Sequence, residues 1–424
     1  VNTDLASFGN WSLFARTKNR KRAKACFRGL PPAAEESYHG ALHNFSGEQP
    51  IPRFSRKGSL ERKPMASGPT EAAVVEALRS VMDPELHKDL VTLQMVKNVQ
   101  VNGGAVSLLV TLTTPACPLR DTIEKDVRAA LAKVPGVSAV DLKFDASVPE
   151  GRRLQDKAPI KGVKNLIAVA SGKGGVGKTT VAVNLAIALK NLGAVVGLLD
   201  ADVYGPNVPL MLGTNEQPRA LDQNTIIPVD AYGVKMISMG LLNPGDKPLI
   251  WRGPMLHSVV QQFLRSVRWE GIDYLIVDLP PGTGDVQLSL IQSVAVSGAV
   301  IVTTPSVVAL ADVRKAVEMF RQVNVEILGV VENMSYFTCP HCQGRIDVFG
   351  HGEGERMAQS FGVPFLGEIE IDPQIRIGGD TGKPVASFGE DAPGGKSLYA
   401  MARNVAARLS VVNLAASAPM VQIL

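Results

Sequence analysis

The ten residues Ser171-Gly172-Lys173-Gly174-Gly175-Val176-Gly177-Lys178-Thr179-Thr180 decide the fold of this chain. An apolar run, Leu166-Ile167-Ala168-Val169-Ala170, leads into them and reads as a buried strand. Val181-Ala182-Val183-Asn184-Leu185-Ala186-Ile187-Ala188-Leu189 follows and can continue as a helix. Strand, glycine-rich loop and helix are the context that a phosphate-binding loop requires. The glycines let successive backbone N–H groups turn inward, and the helix N-terminus adds partial positive charge. Each hydrogen bond to a charged phosphate oxygen contributes roughly 1.5–3 kcal/mol, so a ring of them from Gly172 to Thr180 can hold a triphosphate such as ATP. Lys178 is expected at the β- and γ-phosphates and the Thr179 hydroxyl on Mg2+. A glycine-rich segment can be no more than a tight turn. Here the full Gly-x4-Gly-Lys-Thr spacing and both flanks argue for a nucleotide.

Lys173 stands between glycines, five residues before Lys178. Two ammonium groups so close repel one another unless a second anion is near. The loop resembles the deviant Walker A sequence of the MinD/ParA/NifH/ArsA class of P-loop ATPases. That resemblance implies a catalytic role for Lys173, because in that class the early lysine reaches across a dimer interface to the partner's nucleotide, much as an arginine finger does. The plain alternative is a solvated surface lysine.

Outside the loop, apolar runs alternate with helical patterns: Ala194–Leu199, Tyr274–Val277, Ala299–Val302 and Val325–Val331. Near-continuous apolar strands between helices argue a mostly parallel sheet covered by helices on both faces, the α/β architecture of a P-loop NTPase. The run Val294 to Ala311 is broken by Ser297, Gly298 and the Thr303–Ser306 segment and reads as a core strand plus a loop. Residues 70–150 read as a separate small α+β unit, with helices around Val74–Val81 and Leu119–Leu131. A hairpin turns there at Asn102-Gly103-Gly104, and a third strand covers Val137–Phe144. The chain thus divides into a leader (1–68), the small α+β domain (69–150), a polar linker (151–161), the ATPase domain (162–412) and a short tail (413–424).

The chain has 424 residues, 45% of them apolar and 20% charged, which describes a globular protein with a sizeable core. Its net charge of +4 is uneven. Residues 1–64 hold 12 Lys/Arg against 5 Asp/Glu, leaving the remainder mildly acidic at −3. The globular part therefore gives no argument for nucleic acid. The leader shows no sustained period and reads as disordered. Its basic cluster allows an organelle-targeting reading. The favoured reading is a non-native stretch upstream of a natural start at Met65, which implies a cytoplasmic protein rather than a mitochondrial one. No unbroken apolar stretch of about twenty residues is present, so no membrane span is expected. Four cysteines, Cys26, Cys117, Cys339 and Cys342, are too few and too scattered for a disulfide scaffold and fit a reducing compartment.

Acids at strand ends supply the rest of a nucleotide site. Asp200 and Asp202 follow the strand ending at Leu199, where a carboxylate can orient an attacking water or hold a hydrated metal. Asp278 closes a second strand ahead of Leu279-Pro280-Pro281-Gly282-Thr283-Gly284-Asp285 and is the natural Walker B acid for Mg2+. An isolated Asp after a strand is more often a helix cap. Cys339-Pro340-His341-Cys342 can be a redox dithiol, two packed thiols or half of a four-coordinate metal site. A symmetric dimer would complete the last, with four thiolates suited to zinc or an iron–sulfur cluster. Cys117 heads a predicted helix whose dipole would lower its thiol pKa, although free cysteines are usually buried and inert.

Taken with Asp200-Ala201-Asp202-Val203-Tyr204-Gly205-Pro206-Asn207, Trp251-Arg252-Gly253-Pro254-Met255 and Glu332-Asn333-Met334-Ser335, these segments resemble the Mrp (ApbC) family of ATP-dependent iron–sulfur cluster carriers. The likeness runs from about residue 70 to 390; Asn207 stands where many members carry Ser. Asp83-Pro84-Glu85 and Thr113-Thr114-Pro115-Ala116-Cys117-Pro118 are similar to the small domain fused to bacterial Mrp proteins and found in other iron–sulfur assembly factors. The resemblance implies a homodimer and a labile cluster, of the 4Fe–4S type, bridging Cys339 and Cys342 of both subunits. It further implies that Asn333 helps recognise adenine and that apo iron–sulfur proteins are the recipients. The plastid branch lacks the cysteine pair, so the chain is more similar to the bacterial and mitochondrial branches. The rival reading is a ParA/MinD-type positioning ATPase on membrane or DNA. It requires a basic amphipathic C-terminal helix, and Ser397–Leu409 carries only Arg403 and Arg408 for charge.

Overall fold

A computed structural model describes residues 68–151, 157–202, 205–222, 224–242 and 253–417. The readings that fall on residues 1–67, among them the leader with Cys26, lie outside the described residues. So do Val203, Tyr204, Trp251 and Arg252.

The small unit opens with α1 (Glu71–Leu78), whose first turn is capped by Thr70 Oγ1 accepting from the Ala73 N–H at 3.2 Å. β1 (Val96–Asn102) and β2 (Ala105–Leu112) form an antiparallel hairpin turned at Gly103, whose φ of 62° suits glycine. After α2 (Arg120–Leu131) the chain returns as β3 (Ala139–Ala146), parallel to β2. Alternate β2 residues Val106, Leu108, Val110 and Leu112 bury one sheet face against Val74 and Leu78 of α1 and Ile123, Val127 and Leu131 of α2. Period 2 thus meets period 3.6 in one small core.

The large unit is built on an eight-stranded sheet. In chain order its strands are β4 (Val163–Ala170), β5 (Val196–Asp200), β6 (Val229–Ala231), β7 (Val234–Ser238), β8 (Ile272–Asp278), β9 (Gly298–Thr303), β10 (Ile327–Glu332) and, after a short hairpin, β13 (Phe365–Glu368). The spatial order is β6-β7-β5-β8-β4-β9-β10-β13, and only the β6–β7 pair is antiparallel. Side chains alternate between two cores. Ile167 and Val169 of β4 face α3 (Lys178–Asn191), while Leu166, Ala168 and Ala170 face the opposite layer. That layer holds α4 (Gly253–Ser266), α5 (Asp285–Ser293), α6 (Val307–Gln322) and α7 (Glu353–Phe361), which contribute Phe263, Ile291, Phe320 and Met357. Apart from the buried Asn184, helix α3 is apolar on every side from Val181 to Leu189 and is buried on every side.

Two expectations need correction. The apolar run after Val294 continues into a helix rather than a loop, because Ala309, Val313, Ala316, Val317 and Phe320 recur at helical spacing and bury one face of α6. The last helix, α8 (Gly395–Ser417), runs past residue 412. It buries Leu398, Met401, Val405 and Leu409 in the core, so the apolar stripe weighed as a membrane anchor is used in packing. No described helix is long and apolar enough to cross a membrane.

The small unit is pinned to the sheet by buried polar contacts. Tyr274 of β8 donates its hydroxyl to Thr114 Oγ1 at 3.0 Å, Asn165 of β4 donates to the Pro149 carbonyl at 2.9 Å, and Ala116 enters the large unit's core. Tyr274→Phe removes one of the two donors to Thr114 Oγ1, the other being the Ala116 N–H at 3.2 Å, and should lower stability by about 1 kcal/mol. Thermal unfolding of the two proteins side by side measures this, and equal midpoints would show that the hydroxyl contributes nothing.

Candidate functional site

Parallel strands place their C-terminal ends along one edge, and the chemistry gathers there. β4 ends in the glycine loop, β5 in Asp200, β8 in Asp278 and β10 in Glu332 followed by Asn333. Asp200 and Asp278 are register partners on adjacent strands.

The loop is held by close approach on both sides. A side chain at Gly172 would strike the carbonyl of Asp312 in α6, and one at Gly177 would strike the Asn333 amide. Gly177 also carries the left-handed φ of 80° that turns the loop into α3. Gly174 and Gly175 are exposed, Val176 is buried, and Gly174 faces Pro281 of the Pro/Gly loop after β8. The Ser171 hydroxyl donates to the Lys173 carbonyl at 3.0 Å, and the Gly282 N–H donates to the Ser171 carbonyl at 3.2 Å. Thr180 accepts from the Asn184 side chain through its carbonyl. The Lys173 side chain is half-buried, and its ammonium meets no acceptor among the described residues.

Lys178 and Thr179 both turn onto Asp278. The ammonium lies 2.6 Å from Oδ1 and the Thr179 hydroxyl donates to Oδ2 at 2.7 Å, with Lys178 and Asp278 buried. Beside them Asp200 is fully buried. Its carboxylate accepts from Ser238 Oγ at 2.8 Å, from the Asp202 N–H at 3.1 Å and from the Val208 N–H at 3.3 Å. Burial, reinforced by the charge of Asp278, pushes Asp200 up to about 8. Burial raises Asp278 as well, with Lys178 opposing. Asp202 is less buried than Asp200. Ser238, the partner of Asp200, belongs to no motif and was invisible in the sequence.

Asn333 donates its amide to the Val176 carbonyl at 2.8 Å, so the segment after β10 is latched onto the loop. That segment goes on to form the hairpin of β11 (Phe337–Thr338) and β12 (Arg345–Ile346), with Cys339 and Cys342 at its tip. The Cys339 N–H donates to the Gly344 carbonyl and the Gln343 N–H to the Cys339 carbonyl, both at 2.9 Å. The N–H of Cys342, then that of His341 and the Cys342 thiol, point at Cys339 sulfur and hold its pKa below the usual thiol range. Cys342 is exposed. Among the described residues no third His, Cys, Asp or Glu joins the pair in a metal-holding cluster, so one chain offers two ligands.

Cys117 does not behave as the helix-start reading expected. Helix α2 begins only at Arg120, and burial, helped by Glu85 and Asp83, pushes the thiol up to about 11. It lines a cavity of about 570 Å³ with Arg120, Leu192 and the Arg403–Glu390 ion pair. This is the far end of α3 from the glycine loop.

The family model described as "NUBPL iron-transfer P-loop NTPase" matches residues 162–406, and the model described as "Iron-sulfur cluster assembly protein" matches residues 71–142. The chain is 49% identical over 350 residues to the iron-sulfur cluster carrier protein of Synechocystis sp., covering 81% of this chain and 99% of that protein. It is 50% identical over 343 residues to the iron-sulfur cluster carrier protein of Deinococcus radiodurans, covering 81% and 96%. The iron-sulfur cluster transfer protein NUBPL of Dictyostelium discoideum is 48% identical over 259 residues, covering 61% and 80%.

The Asp200 environment has a measurable consequence. A carboxyl raised from 3.8 to about 8 binds a proton in the folded but not the unfolded chain between those values. Its contribution is complete below about pH 4 and is lost as pH rises through about 8, at up to about 1.4 kcal/mol per pH unit. Asp200→Asn, neutral throughout, should flatten the fall in melting temperature of the nucleotide-free protein across that window. Parallel wild-type and variant profiles would mean that Asp200 is already ionised in the fold.

Proposed function

The chain belongs to the family of iron-transfer P-loop NTPases, and from that premise we propose that it binds and hydrolyses ATP and carries an iron–sulfur cluster to apoproteins. One observation carries the reading: a single segment leaves β10, latches onto the glycine loop through Asn333 and then presents Cys339 and Cys342 on a hairpin. Nucleotide and cargo are thereby handled by neighbouring parts of one stretch of chain. The depressed pKa of Cys339 favours the thiolate that a soft metal centre needs.

Gly172, Lys173, Gly174, Gly175, Val176, Gly177, Lys178, Thr179 and Thr180 form the triphosphate cradle, and Asn333, bonded to Val176 of that loop, is the residue assigned to adenine recognition. Lys178 exchanges Asp278 for phosphate oxygens when ATP enters. Thr179 and Asp278 offer the hard oxygen donors that Mg2+ prefers, and the ion would offset phosphate charge there. Asp202 is the better candidate for orienting water, since it is more exposed than Asp200, which has almost no surface. Lys173, with no partner in its own chain among the described residues, is free to serve a second subunit's nucleotide. A homodimer then supplies four thiolates for a 4Fe–4S cluster on its two-fold axis. The reading requires neither membrane nor nucleic acid. A positioning ATPase would need no cysteine pair, and here the C-terminal stripe is buried. The cytoplasm, or the mitochondrial matrix if the leader is a targeting segment, supplies the reducing setting.

Replacing Cys339 and Cys342 with Ala should abolish cluster binding after anaerobic reconstitution while ATP affinity stays near wild type. Full iron and sulfide stoichiometry in the double variant would remove the ligand assignment. Zinc instead of a cluster would point to a structural site.

Lys178→Ala should lose nucleotide binding, whereas Lys173→Ala should keep binding and lose hydrolysis by about 10³-fold or more. Mixing Lys173→Ala with Asp202→Asn subunits should restore part of the turnover if Lys173 acts across the dimer. No recovery would confine it to its own chain.

A further inference from the structure

We propose that Glu332 is a positioning residue that clamps both roots of the cysteine hairpin and ties them to the nucleotide loop. The proposal rests on the reading of Cys339 and Cys342 given above. Glu332 is the last residue of β10 and has no exposed surface. Its two carboxylate oxygens do different jobs. Oε1 accepts from the Ser335 hydroxyl at 2.6 Å, just where the chain departs toward the hairpin. Oε2 accepts from the Gly354 N–H at 2.5 Å, in the first turn of α7, where the chain comes back. Everything between Ser335 and Gly354, both cysteines included, is closed off by one side chain.

The clamp is built rather than incidental. A Cβ at Gly354 would lie 2.6 Å from Oε2 and 3.0 Å from the Glu332 Cβ, so only glycine lets the carboxylate reach that N–H. No Lys, Arg or His forms an ion pair with Glu332 among the described residues. Its charge is met instead by a hydroxyl and by the N-terminus of α7. A buried carboxylate is a costly way to close a loop when an apolar contact would serve, and such groups are best explained by a need for one defined arrangement. The backbone ties the same point to the sheet, since the Ile369 N–H donates to the Glu332 carbonyl at 2.8 Å and the Ser335 N–H donates to the Ile369 carbonyl at 2.9 Å. The next residue is Asn333, bonded to Val176 of the glycine loop. A shift of that loop on nucleotide binding therefore reaches the clamp across one peptide bond, and the clamp holds both ends of the hairpin.

The test reads cysteine accessibility, which a purely structural role would not make nucleotide-dependent. Pulse alkylation of Cys339 and Cys342 in the cluster-free full chain, followed residue by residue by mass spectrometry, is compared with and without a slowly hydrolysed ATP analogue and Mg2+. In wild type the nucleotide should change the labelling rate by roughly fivefold or more, the lower end of ordinary coupling between sites. Glu332→Ala removes both acceptors of the clamp at once. It should bind the analogue as wild type does yet label at a rate that no longer depends on it. Gly354→Ala displaces the same contact from the other side, keeps the carboxylate, and should uncouple in the same way if Glu332→Ala does not fold. Wild-type coupling in either folded variant, loss of nucleotide binding in both, or no nucleotide effect in wild type overturns the proposal. Cluster retention by the Cys339/Cys342 double variant would overturn the ligand reading instead, and the labelling rates do not depend on that result.

Discussion

The contact between Lys178, Thr179 and Asp278 joins the start of α3 to the end of β8, and the architecture of the site depends on it. Burying an ammonium and a carboxylate together gains little net stability, because desolvation offsets most of their attraction. Its value lies elsewhere. Both side chains are kept dry and oriented at the edge where a triphosphate is expected, Lys178 on one carboxylate oxygen of Asp278 and Thr179 on the other. An arriving polyanion can compete for the lysine without having to strip water from it. The neighbouring Asp200 fits the same logic. A second full negative charge beside Asp278 would pull Lys178 in two directions, and burial instead favours the protonated form.

The two cysteine regions illustrate how environment sorts one chemical group into two behaviours. Cys117 sits among apolar surface and carboxylates, which raise its pKa to about 11 and suppress its thiolate. Cys339 sits in a tight turn whose N–H groups converge on its sulfur and favour the thiolate. Only the second is prepared to bind a soft metal at neutral pH. The first would need a change in the cleft between α2, α3 and α8 before it could act as a nucleophile or ligand.

Much of this was legible because the determining signals are local. Strand, Gly-x4-Gly-Lys-Thr loop and helix are contiguous, and acids that end apolar strands fall at the same sheet edge by topology alone. The small unit could be read from its periods, since Val106 to Leu112 alternate and Ile123, Val127 and Leu131 recur at helical spacing. What escaped depends on contacts distant in sequence. Ser238 reaches Asp200 only because β7 and β5 are neighbours. The Glu332–Gly354 contact depends on where α7 returns. The thiol of Cys117 was misjudged because its loop docks into the large unit, with Ala116 in that core, and burial outweighs a helix that starts too late to help. The start of α6 was missed because Val307 and Val308 favour strands and only the later positions reveal the helical face.

The sheet also separates the two cysteine regions. Tyr274 meets Thr114 near the start of β8, while Asp278 ends that strand at the nucleotide edge. Helix α3 spans the same gap, from Lys178 beside the nucleotide loop to Asn191, next to Leu192 of the Cys117 cavity. Fourteen helical residues make a rod of about 21 Å. Within one chain, therefore, Cys117 lies at the opposite end of α3 from the loop to which the cysteine hairpin's root is latched. The small unit meets the large one through a buried interface: Asn165 of β4, Tyr274 of β8 and Ser410 of α8 bond the 113–149 segment to three elements whose side chains also pack in the core around α3, the helix that the nucleotide loop opens.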